Sequence, residues 1–252
     1  MSYFQVVRVE GFTKGSLRNI LNETDRTDGE FKNIDRQEEL AFLNHSYKDI
    51  QKAGIHATYN SILKECNCKP FVDKKNAIAF EGVIITASRE FFENELGWVA
   101  GKPAPPAVKE YFDKAYELAI EKFGFQGTDK NFLTAKIHYD ENAPHLQIDY
   151  IPIVENYKGK VYQTDEEGKI CRNEKGSPIQ LKDENGKTVF KEVKGVPKVS
   201  KSDFWRERGG KNSYSLLQDF FYEKLAKEYG LERGEKGSNA KHKTNHQYHA
   251  EQ

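Results

Sequence analysis

Two histidines, a glutamate and a glutamine fall within ten residues near the middle of the chain, in the stretch HYDENAPHLQ. His138 and His145 flank Glu141, and Gln147 follows two positions after the second histidine. A neutral imidazole binds borderline divalent ions, whereas carboxylate and amide oxygens suit the harder Mn²⁺ or Mg²⁺. These residue types at this spacing predict a site for one divalent cation, with positions left open for a substrate oxygen.

The flanking sequence indicates how these groups are positioned. The segments FLTAKIHYD and HLQIDYIPI alternate apolar and polar residues on either side of ENAP, which predicts two paired strands. Alternation assigns these residues to the core side: Leu133, Ala135, Ile137, Leu146, Ile148 and Tyr150. The opposite face then carries His138, His145, Gln147 and Asp149. The alternative is a solvated polar face on which the two histidines are unrelated.

Four further segments have clear patterns. Residues 6–10 and 77–87 are rich in β-branched and aromatic side chains, which predicts strands. Pro105 and Pro106 open an apolar stripe at helical spacing that ends near Gly124. A second stripe predicts a helix that starts at Asn212 or Ser213 and ends at Gly230. The pattern favours a sheet with helices packed against it.

Residues 157–199 differ in composition from the rest of the chain. They are polar, and DEEGK and DENGK are turn signals, which predicts a β-hairpin arm inserted into a single domain of residues 1–235. Residues 236–252 form a polar tail that we expect to be flexible. The three histidines of that tail are expected to bind no metal.

Composition restricts the class of protein. The 252 residues are 37% hydrophobic and 31% charged, enough for one core. No apolar run is long enough to cross a membrane and the first residues do not resemble a signal peptide, so we expect a cytoplasmic protein. Three cysteines without a paired motif predict free thiols.

Net charge is zero, but the charge is unevenly distributed. Residues 188–211 hold seven Lys or Arg and three acidic residues. Arg206, Arg208 and Lys211, with Tyr214 and two glycines at a helix start, are expected to contact a DNA backbone. The alternative is a solvated helix-entry loop.

The histidine stretch also resembles a known family. HYDENAPHLQIDYIP is similar to the His-x-Asp-Glu-x-x-Pro-His-x-His motif of the MobV (Mob/Pre) plasmid mobilisation relaxases of the HUH endonuclease superfamily. The MSY start, FEGVIITAS, the segment FWRERGGKNSYSLLQDFFYEKLAKEYGLERGE and KHKTNHQY resemble the same family in the same order. The resemblance implies an α+β fold, an antiparallel sheet flanked by helices, and site-specific nicking of single-stranded or hairpin origin DNA, with strand transfer and with Mn²⁺ or Mg²⁺.

The resemblance also implies residue roles. His138, His145 and Gln147 fall on the metal ligands, Glu141 lies beside them, and Gln147 replaces the usual final histidine. The family's His-Asn-x-Arg box falls on ETDR, which places Glu23 at the position of the nucleophilic histidine. The arginine of the box is retained as Arg26, which is expected to clamp phosphate. Asn44, also retained, is expected at the DNA.

The glutamate leaves the attacking group open. A carboxylate is a weak nucleophile toward a phosphodiester, so Glu23, the spare histidine His45 and water all remain candidates. The alternative for His45 is a packed or merely polar histidine.

Three functions follow from these alternatives. The first is a metal-dependent DNA-nicking relaxase, and the second is a relaxase-fold DNA-binding protein whose covalent catalysis is impaired or lost because of Glu23. The third, a metal enzyme acting on a small molecule, accounts for the ligands but not for the basic segment. Oligomerisation is expected only through sequence beyond this chain.

Overall fold

The computed structural model describes residues 2–26, 38–234 and 236, which form an α+β fold. The strands are β1 (Gln5–Thr13), β2 (His45–Lys48), β3 (Ile78–Ala87), β4 (Phe132–His138), β5 (His145–Tyr150), β6 (Ile153–Val154), β7 (Tyr157–Lys160), β8 (Phe190–Val193) and β9 (Lys198–Val199). The helices are α1 (Leu17–Asp25), α2 (Ile55–Glu65), α3 (Arg89–Asn94), α4 (Pro106–Phe123), α5 (Lys201–Glu207) and α6 (Ser213–Lys224).

A five-stranded sheet organises the fold. Its strand order is β1-β3-β5-β4-β2, and every neighbouring pair is antiparallel. The predicted antiparallel sheet flanked by helices is therefore confirmed. The strands that carry the histidines, β4 and β5, are interior strands of this sheet, so both are held by hydrogen bonds on two sides.

The larger core lies between the sheet and α4. The predicted stripe of α4 is buried, with Val108, Phe112 and Ala119 fully inaccessible to solvent. Ile137 and Ile148 from β4 and β5 pack into the same cluster. Burying a side chain of this size stabilises the fold by about 1.5–3 kcal/mol. One face of β4 and β5 is therefore occupied by the core, and only the opposite face is open for a functional site.

A second, smaller core lies on the opposite face under α1 and α2. Leu17 and Leu21 of α1 pack there with Tyr59 of α2 and Phe80 of β3. Leu133 also belongs to this core, so its predicted assignment to the larger core is wrong. The register of β4 shifts between Phe132 and Thr134, and the extra residue turns Leu133 to the other face.

The C-terminal helix is shorter than the sequence predicts. It starts at Ser213 as expected, but α6 ends at Lys224, and residues Ala226–Tyr229 form a 3-10 turn. Gly230 then adopts a left-handed conformation with φ 67°. Leu225 leaves helical geometry while fully buried, so packing of this leucine interrupts the helix before its glycine cap.

Residues 157–193 form paired hairpins where the turn signals predict them. Lys198–Val199 pair with β6 instead, and the bounds of the arm stay a prediction. After β7 pairs with β8, three short hairpins turn at Asp165, Asn173 and Asp183. The side chain of each accepts two backbone N–H groups of its own turn, at 2.8–3.1 Å. Each turn is closed by a glycine with φ between 74° and 80°.

Backbone hydrogen bonds join the three hairpins into two closed rings. In one, the amides of Gln163, Cys171 and Ile179 each donate to a carbonyl of another member at 2.9 Å. The second ring links Val161, Leu181 and Val189 at 2.9–3.0 Å. The arm is thus held together by its main chain rather than by a core of its own.

The described residues bear on two other predictions. Cys66, Cys68 and Cys171 are free thiols, as expected. In the described part of the chain, no helix has the length and apolar character needed to span a membrane. The boundary between domain and tail stays a prediction, and the tail histidines at 242, 246 and 249 lie outside the described residues.

Gly82 on β3 provides a test of how tightly the second face is packed. A Cβ on this residue would lie 2.9 Å from Asp149 Oδ1 and 3.1 Å from Phe12. We expect Gly82→Ala to lower the free energy of unfolding by about 1–3 kcal/mol, because overpacking forces its neighbours to shift. Urea unfolding in the presence of EDTA measures the change.

The matched control is Gly15→Ala. A Cβ there has its nearest contact at 3.8 Å, an ordinary van der Waals distance. We expect this substitution to change the free energy of unfolding by no more than about 0.5 kcal/mol. Equal effects of the two substitutions would contradict the close packing of Gly82 against Asp149.

Candidate functional site

The two histidines face each other across the β4–β5 pair. His138 is the direct register partner of His145, and the centres of their rings are 5.1 Å apart. Both lie on the face opposite α4, as the alternation predicts. The prediction that the two imidazoles share one face of the sheet is confirmed.

His138 is the more enclosed of the two. It is fully buried, and burial lowers its pKa to about 3, so the imidazole is neutral. Its Nδ1 lies 3.5 Å from Asn44 Nδ2 and 3.7 Å from Asp140 Oδ1. Its Nε2 is buried without a hydrogen-bond partner among the described residues. An Nδ1–H directed at Asp140 leaves the Nε2 lone pair available, which is the tautomer that metal ligation requires.

His145 is oriented by the turn that precedes it. Its Nδ1 lies 3.1 Å from the carbonyl oxygen of Ala143, so an Nδ1–H donated to that oxygen leaves Nε2 as the acceptor. Nε2 lies 3.8 Å from Glu141 Oε1. Both histidines therefore have one nitrogen held by the protein and one nitrogen available for a cation.

Gln147 follows on the same face and is tied to α1. Its Nε2 donates to Thr24 Oγ1 at 2.7 Å, and that hydroxyl donates to Asp149 Oδ2 at 2.7 Å. Asp149 is fully buried, and burial raises its pKa to about 7. Sequence reasoning placed Asp149 on this face but did not foresee Thr24, whose one signal is its spacing from Leu17 and Leu21.

Arg26 closes the site at the end of α1. Its backbone is left-handed, with φ 56°, and its side chain is 6% exposed. The guanidinium donates to the Glu23 carbonyl at 2.7 Å, to both oxygens of Asp140 at 3.1 and 3.3 Å, and to Glu141. Burial opposes ionisation of Asp140, but hydrogen bonds from His138 and Arg26 hold its pKa below the ordinary range.

These contacts alter the expected role of Arg26. The predicted phosphate clamp requires an open guanidinium, whereas here its nitrogens already donate to Asp140, Glu141 and the Glu23 carbonyl. The structure places Arg26 at the site as predicted but engages it with Asp140 and Glu141. Its visible effect is to hold the acidic residues beside the histidines.

Glu23 lies on α1 beside these groups. It is partly buried, and burial raises the pKa of its carboxyl, with Arg26 opposing the shift and Glu141 adding to it. A carboxyl with a raised pKa is a stronger base when ionised than an ordinary glutamate. The structure therefore brings the residue at the predicted nucleophile position into the electrostatic field of Glu141 and Arg26.

Asn44 and the adjacent histidine have different roles. Asn44 Oδ1 accepts the backbone N–H of Tyr139 at 2.7 Å, and its Nδ2 lies 3.5 Å from His138 Nδ1, so it packs against the histidine without a hydrogen bond in the tautomer that donates to Asp140. His45 pairs with Ile137, on the α4 face, and its ring lies 4.9 Å from that of Tyr47. The strand thus directs His45 away from His138, which favours the packed histidine over a spare nucleophile.

The basic segment at 206–214 lies at another place on the fold. Trp205, which precedes it, donates to Glu81 at 3.0 Å, and Glu81 is five residues along β3 from the partner of His145. That separation is roughly 17 Å at the usual strand rise. The segment therefore does not share the histidine site.

The predicted DNA-contacting residues of this segment differ in availability. Arg208 donates to the carbonyls of Lys122 and Phe204 at 2.9 and 3.0 Å and stacks 3.5 Å from the Phe204 ring. Its guanidinium is committed to the fold, contrary to the expected phosphate contact. Arg206 pairs with Asp203 but remains half exposed, and Lys211 is exposed.

A cavity of about 710 Å³ lies next to this segment. Trp205 and Tyr214 line it, with ring centres 4.7 Å apart, together with Phe71. Lys69 and Lys201 are among the basic residues of its wall. The sequence prediction included Tyr214 but missed the lysines that the loop before β3 contributes.

The proposed ligands form an unusual donor set for a divalent cation. Among the described residues, no group of three His, Cys, Asp or Glu side chains is arranged to hold a metal ion. The third donor here is an amide, because Gln147 stands on the strand face of the two histidines. Two imidazoles, one with an unpartnered buried nitrogen, and one amide oxygen fit a divalent cation such as Mn²⁺.

Asp149 gives the site a testable pH dependence. Its folded-state pKa, about 7, lies above the ordinary value of 3.8, so its stabilising contribution is present at low pH and is lost as pH rises from about 4 to 7. We expect wild-type stability to fall over this range by on the order of 3 kcal/mol relative to Asp149→Asn. Urea unfolding in EDTA at several pH values measures this.

The difference between the two proteins is the informative quantity. His138 has a lowered pKa, so its protonation destabilises both proteins as pH falls below about 6.5. This contribution is the same in the wild type and in Asp149→Asn, and it cancels in the difference between them. If the difference in free energy of unfolding between the wild type and Asp149→Asn did not change with pH, it would contradict a raised pKa of the buried Asp149 carboxyl.

Comparison with known proteins connects this chain with one family. The family model described as plasmid recombination enzyme, Mob_Pre, matches residues 1–200. A plasmid recombination enzyme from Bacillus sp. is 23% identical over 240 residues, and a type 2 enzyme from Staphylococcus aureus is 24% identical over 243. The chain covers 44% of each relative, so it spans less than half of their length, while 95% and 96% of this chain is matched.

Solved structures share the fold. The MobM relaxase domain in a Mn-bound crystal structure with plasmid pMV158 oriT DNA superposes with a TM-score of 0.64 at 18% identity, covering 98% of both chains. A MobM relaxase domain bound to a 26-nucleotide pMV158 oriT DNA gives a TM-score of 0.56 at 17% identity, covering 97% of this chain and 99% of the other. Because the family model matches residues 1–200, most of its length, the chain belongs to the Mob/Pre family of plasmid recombination enzymes.

Proposed function

We propose that this chain nicks single-stranded or hairpin origin DNA in a reaction that requires Mn²⁺ or Mg²⁺. The observation that carries the proposal is the pair of facing imidazoles, with the orphaned Nε2 of His138, beside the end of the helix that bears Glu23. Membership of the family supports it, as do the oriT DNA and Mn named for the MobM domain of the same fold.

His138, His145 and Gln147 are the proposed ligands, with Glu141 beside them. A cation bound there would withdraw charge from the scissile phosphate. The protein's own contribution is to fix the neutral tautomers of the two imidazoles through Asp140 and the Ala143 carbonyl. Arg26 holds the acidic residues in place while this happens.

Glu23 is the proposed general base. An ionised carboxylate with a raised pKa takes a proton from water, the water oxygen forms a bond to phosphorus, and the bond from phosphorus to the leaving oxygen breaks. The leaving oxygen then takes a proton from solvent. Direct attack by the carboxylate would give an acyl phosphate that is prone to hydrolysis. Both routes end in a free nick rather than a lasting DNA–protein adduct.

A second function is favoured by one observation. Arg26, the positive group expected to meet phosphate, is engaged by Asp140 and Glu141, and Glu23 adds a further acid beside them. An acidic site repels a phosphodiester unless a cation offsets the charge. A relaxase-fold DNA-binding protein without covalent catalysis is therefore the alternative, and a nicking assay separates the two.

The DNA backbone is proposed to cross the surface at the start of α6. Arg206, Lys211 and Tyr214 are exposed or half exposed there, next to the cavity lined by aromatic and lysine side chains. Lysines beside stacked rings suit a single strand, because phosphates are neutralised while bases stack. Arg208 is left out of this surface because its guanidinium is already occupied.

The first test uses labelled single-stranded origin DNA, Mn²⁺ and denaturing electrophoresis. We expect the unmodified chain to give a free nick and little adduct. Glu23→His should increase the adduct at least several-fold, because imidazole is a competent nucleophile toward phosphorus. Adduct is read as a labelled band of protein mass.

Glu23→Gln is the matched control, since it keeps the size of the side chain and removes the base. We expect it to reduce nicking by about 10²-fold without increasing the adduct. Abundant adduct from the unmodified chain, mapped to a residue other than Glu23, would contradict the role given to this residue. Absence of any nick with retained DNA binding would favour the alternative function.

The second test concerns the DNA surface. Replacing Arg206 and Lys211 with alanine should weaken binding of origin DNA and of unrelated DNA alike, and reduce the slope of log K against log salt by about two. Both effects follow from losing two phosphate contacts. Fluorescence anisotropy at several salt concentrations measures them.

The double variant Lys114→Ala and Lys227→Ala is the control, because it also removes two positive charges. These lysines pair with Glu228 and Glu223, beyond the other end of α6 from the proposed surface. We expect little change in the salt slope. If both double variants reduced the slope equally, the DNA surface at the start of α6 would be wrong.

A further inference from the structure

The side chain of Gln147 poses a chemical problem that a histidine or a carboxylate would not. An amide has one oxygen, which binds cations, and one NH₂ group of similar size, which does not. A glutamine in a ligand position is useful only if something selects the rotamer that turns its oxygen to the cation. Three hydrogen bonds around Thr24 supply that selection.

Thr24 is fully buried on the last turn of α1. Its Oγ1 lies 3.1 Å from the Ile20 carbonyl, 2.7 Å from Asp149 Oδ2 and 2.7 Å from Gln147 Nε2. A hydroxyl has one hydrogen to donate, and the Ile20 carbonyl and Asp149 Oδ2 already accept from this hydroxyl in the structure. The third partner, Gln147, must therefore bring its own hydrogen.

This requirement fixes the direction of the amide. With Nε2 donating to Thr24, the Gln147 oxygen is the atom left for the strand face that carries the two imidazoles. We propose that Thr24 and Asp149 are positioning residues that lock the Gln147 amide with its oxygen toward His138 and His145. The inference rests on the proposed function, in which Gln147 is a cation ligand.

The surroundings of Asp149 favour this role over a purely structural one. Its Oδ1 is buried without a hydrogen-bond partner among the described residues, and Gly82 leaves the space that this oxygen occupies. A buried carboxylate with one oxygen unsatisfied is costly for folding. Apolar packing would join α1 to β5 more cheaply, but it would not hold a hydroxyl in a position to accept from the amide.

The test measures Mn²⁺ binding to the whole chain without DNA, by isothermal titration calorimetry. Thr24→Val keeps the shape of the side chain and removes the hydroxyl, and we expect it to raise the Kd for Mn²⁺ at least tenfold. Thr24→Ser keeps the hydroxyl and should restore the wild-type Kd within about threefold. A merely structural role of Thr24 would leave the Kd of the folded variant unchanged.

A double-mutant cycle with Gln147→Glu tests the mechanism. A carboxylate presents oxygen at both positions and needs no selection between its two ends. In the Gln147→Glu background, we therefore expect Thr24→Val to change the Kd less than about threefold, far below its effect on the parent. An equal effect of Thr24→Val in both backgrounds would overturn the orientation mechanism.

A measurement on the unmodified chain covers the case in which Thr24→Val does not fold. The Gln147 side-chain carbonyl is assigned in the ¹³C spectrum by its loss in Gln147→Glu, and diamagnetic Mg²⁺ is added. We expect this carbonyl signal to shift together with the ring signals of His138 and His145. A shift of the ring signals alone would overturn the inference.

The outcomes separate the inference from the function on which it rests. Wild-type Mn²⁺ binding that is unaffected by Thr24→Val would overturn the positioning role and leave the two-histidine site intact. Absence of Mn²⁺ binding to the unmodified chain would overturn the metal site and the positioning role together. Tight Mn²⁺ binding that is weakened by loss of the Thr24 hydroxyl supports both the metal site and the positioning role.

Discussion

The register of one antiparallel strand pair is the constraint on which the site depends. His138 meets His145 directly because β4 and β5 are joined by a short turn and are each hydrogen-bonded to a further strand. Side chains alternate along a strand, so a slip of one residue would move one imidazole to the α4 face. The apolar residues between the polar ones prevent that slip, since they fill the larger core.

Electrostatics is the second constraint, because the charged groups near the histidines both stabilise and destabilise the fold. Several acids converge near the histidines, and burial or like charges raise the pKa values of Asp149 and Glu23. Arg26 compensates Asp140 and Glu141, and removing one partner of such a buried pair commonly costs 3–5 kcal/mol. An added cation would relieve the remaining repulsion, so metal binding and stability are expected to be coupled.

The sequence predicted those parts of the molecule that depend on local periodicity. Alternation located β4 and β5 and assigned the histidines to one face, and helical spacing located α4. It did not reveal α1, because Leu17 and Leu21 are too few to mark a helix among polar residues. The register shift at Leu133 was also invisible, since a bulge leaves no mark in the pattern of residue types.

Side-chain partners were harder to predict than backbone. His45 and Arg208 are polar residues in plausible places, but strand pairing directs the former to the α4 face and two carbonyls occupy the latter. Thr24 became important only because α1 brings it to Gln147, 123 positions away along the chain. Contacts between such distant residues follow from the tertiary fold and not from spacing.

The two rings of hydrogen bonds indicate that the hairpin arm is a structural unit of its own. Each hairpin has backbone pairs of its own, and the bonds from Gln163 to Ile179 and from Leu181 to Val161 link the hairpins to one another and to the base of the arm. The three hairpins are therefore expected to form or melt as a unit. The arm enters through β7 and leaves through its partner β8, side by side. A self-contained unit with adjacent ends can be gained, lost or exchanged in a single genetic event without disturbing the sheet that holds the histidines.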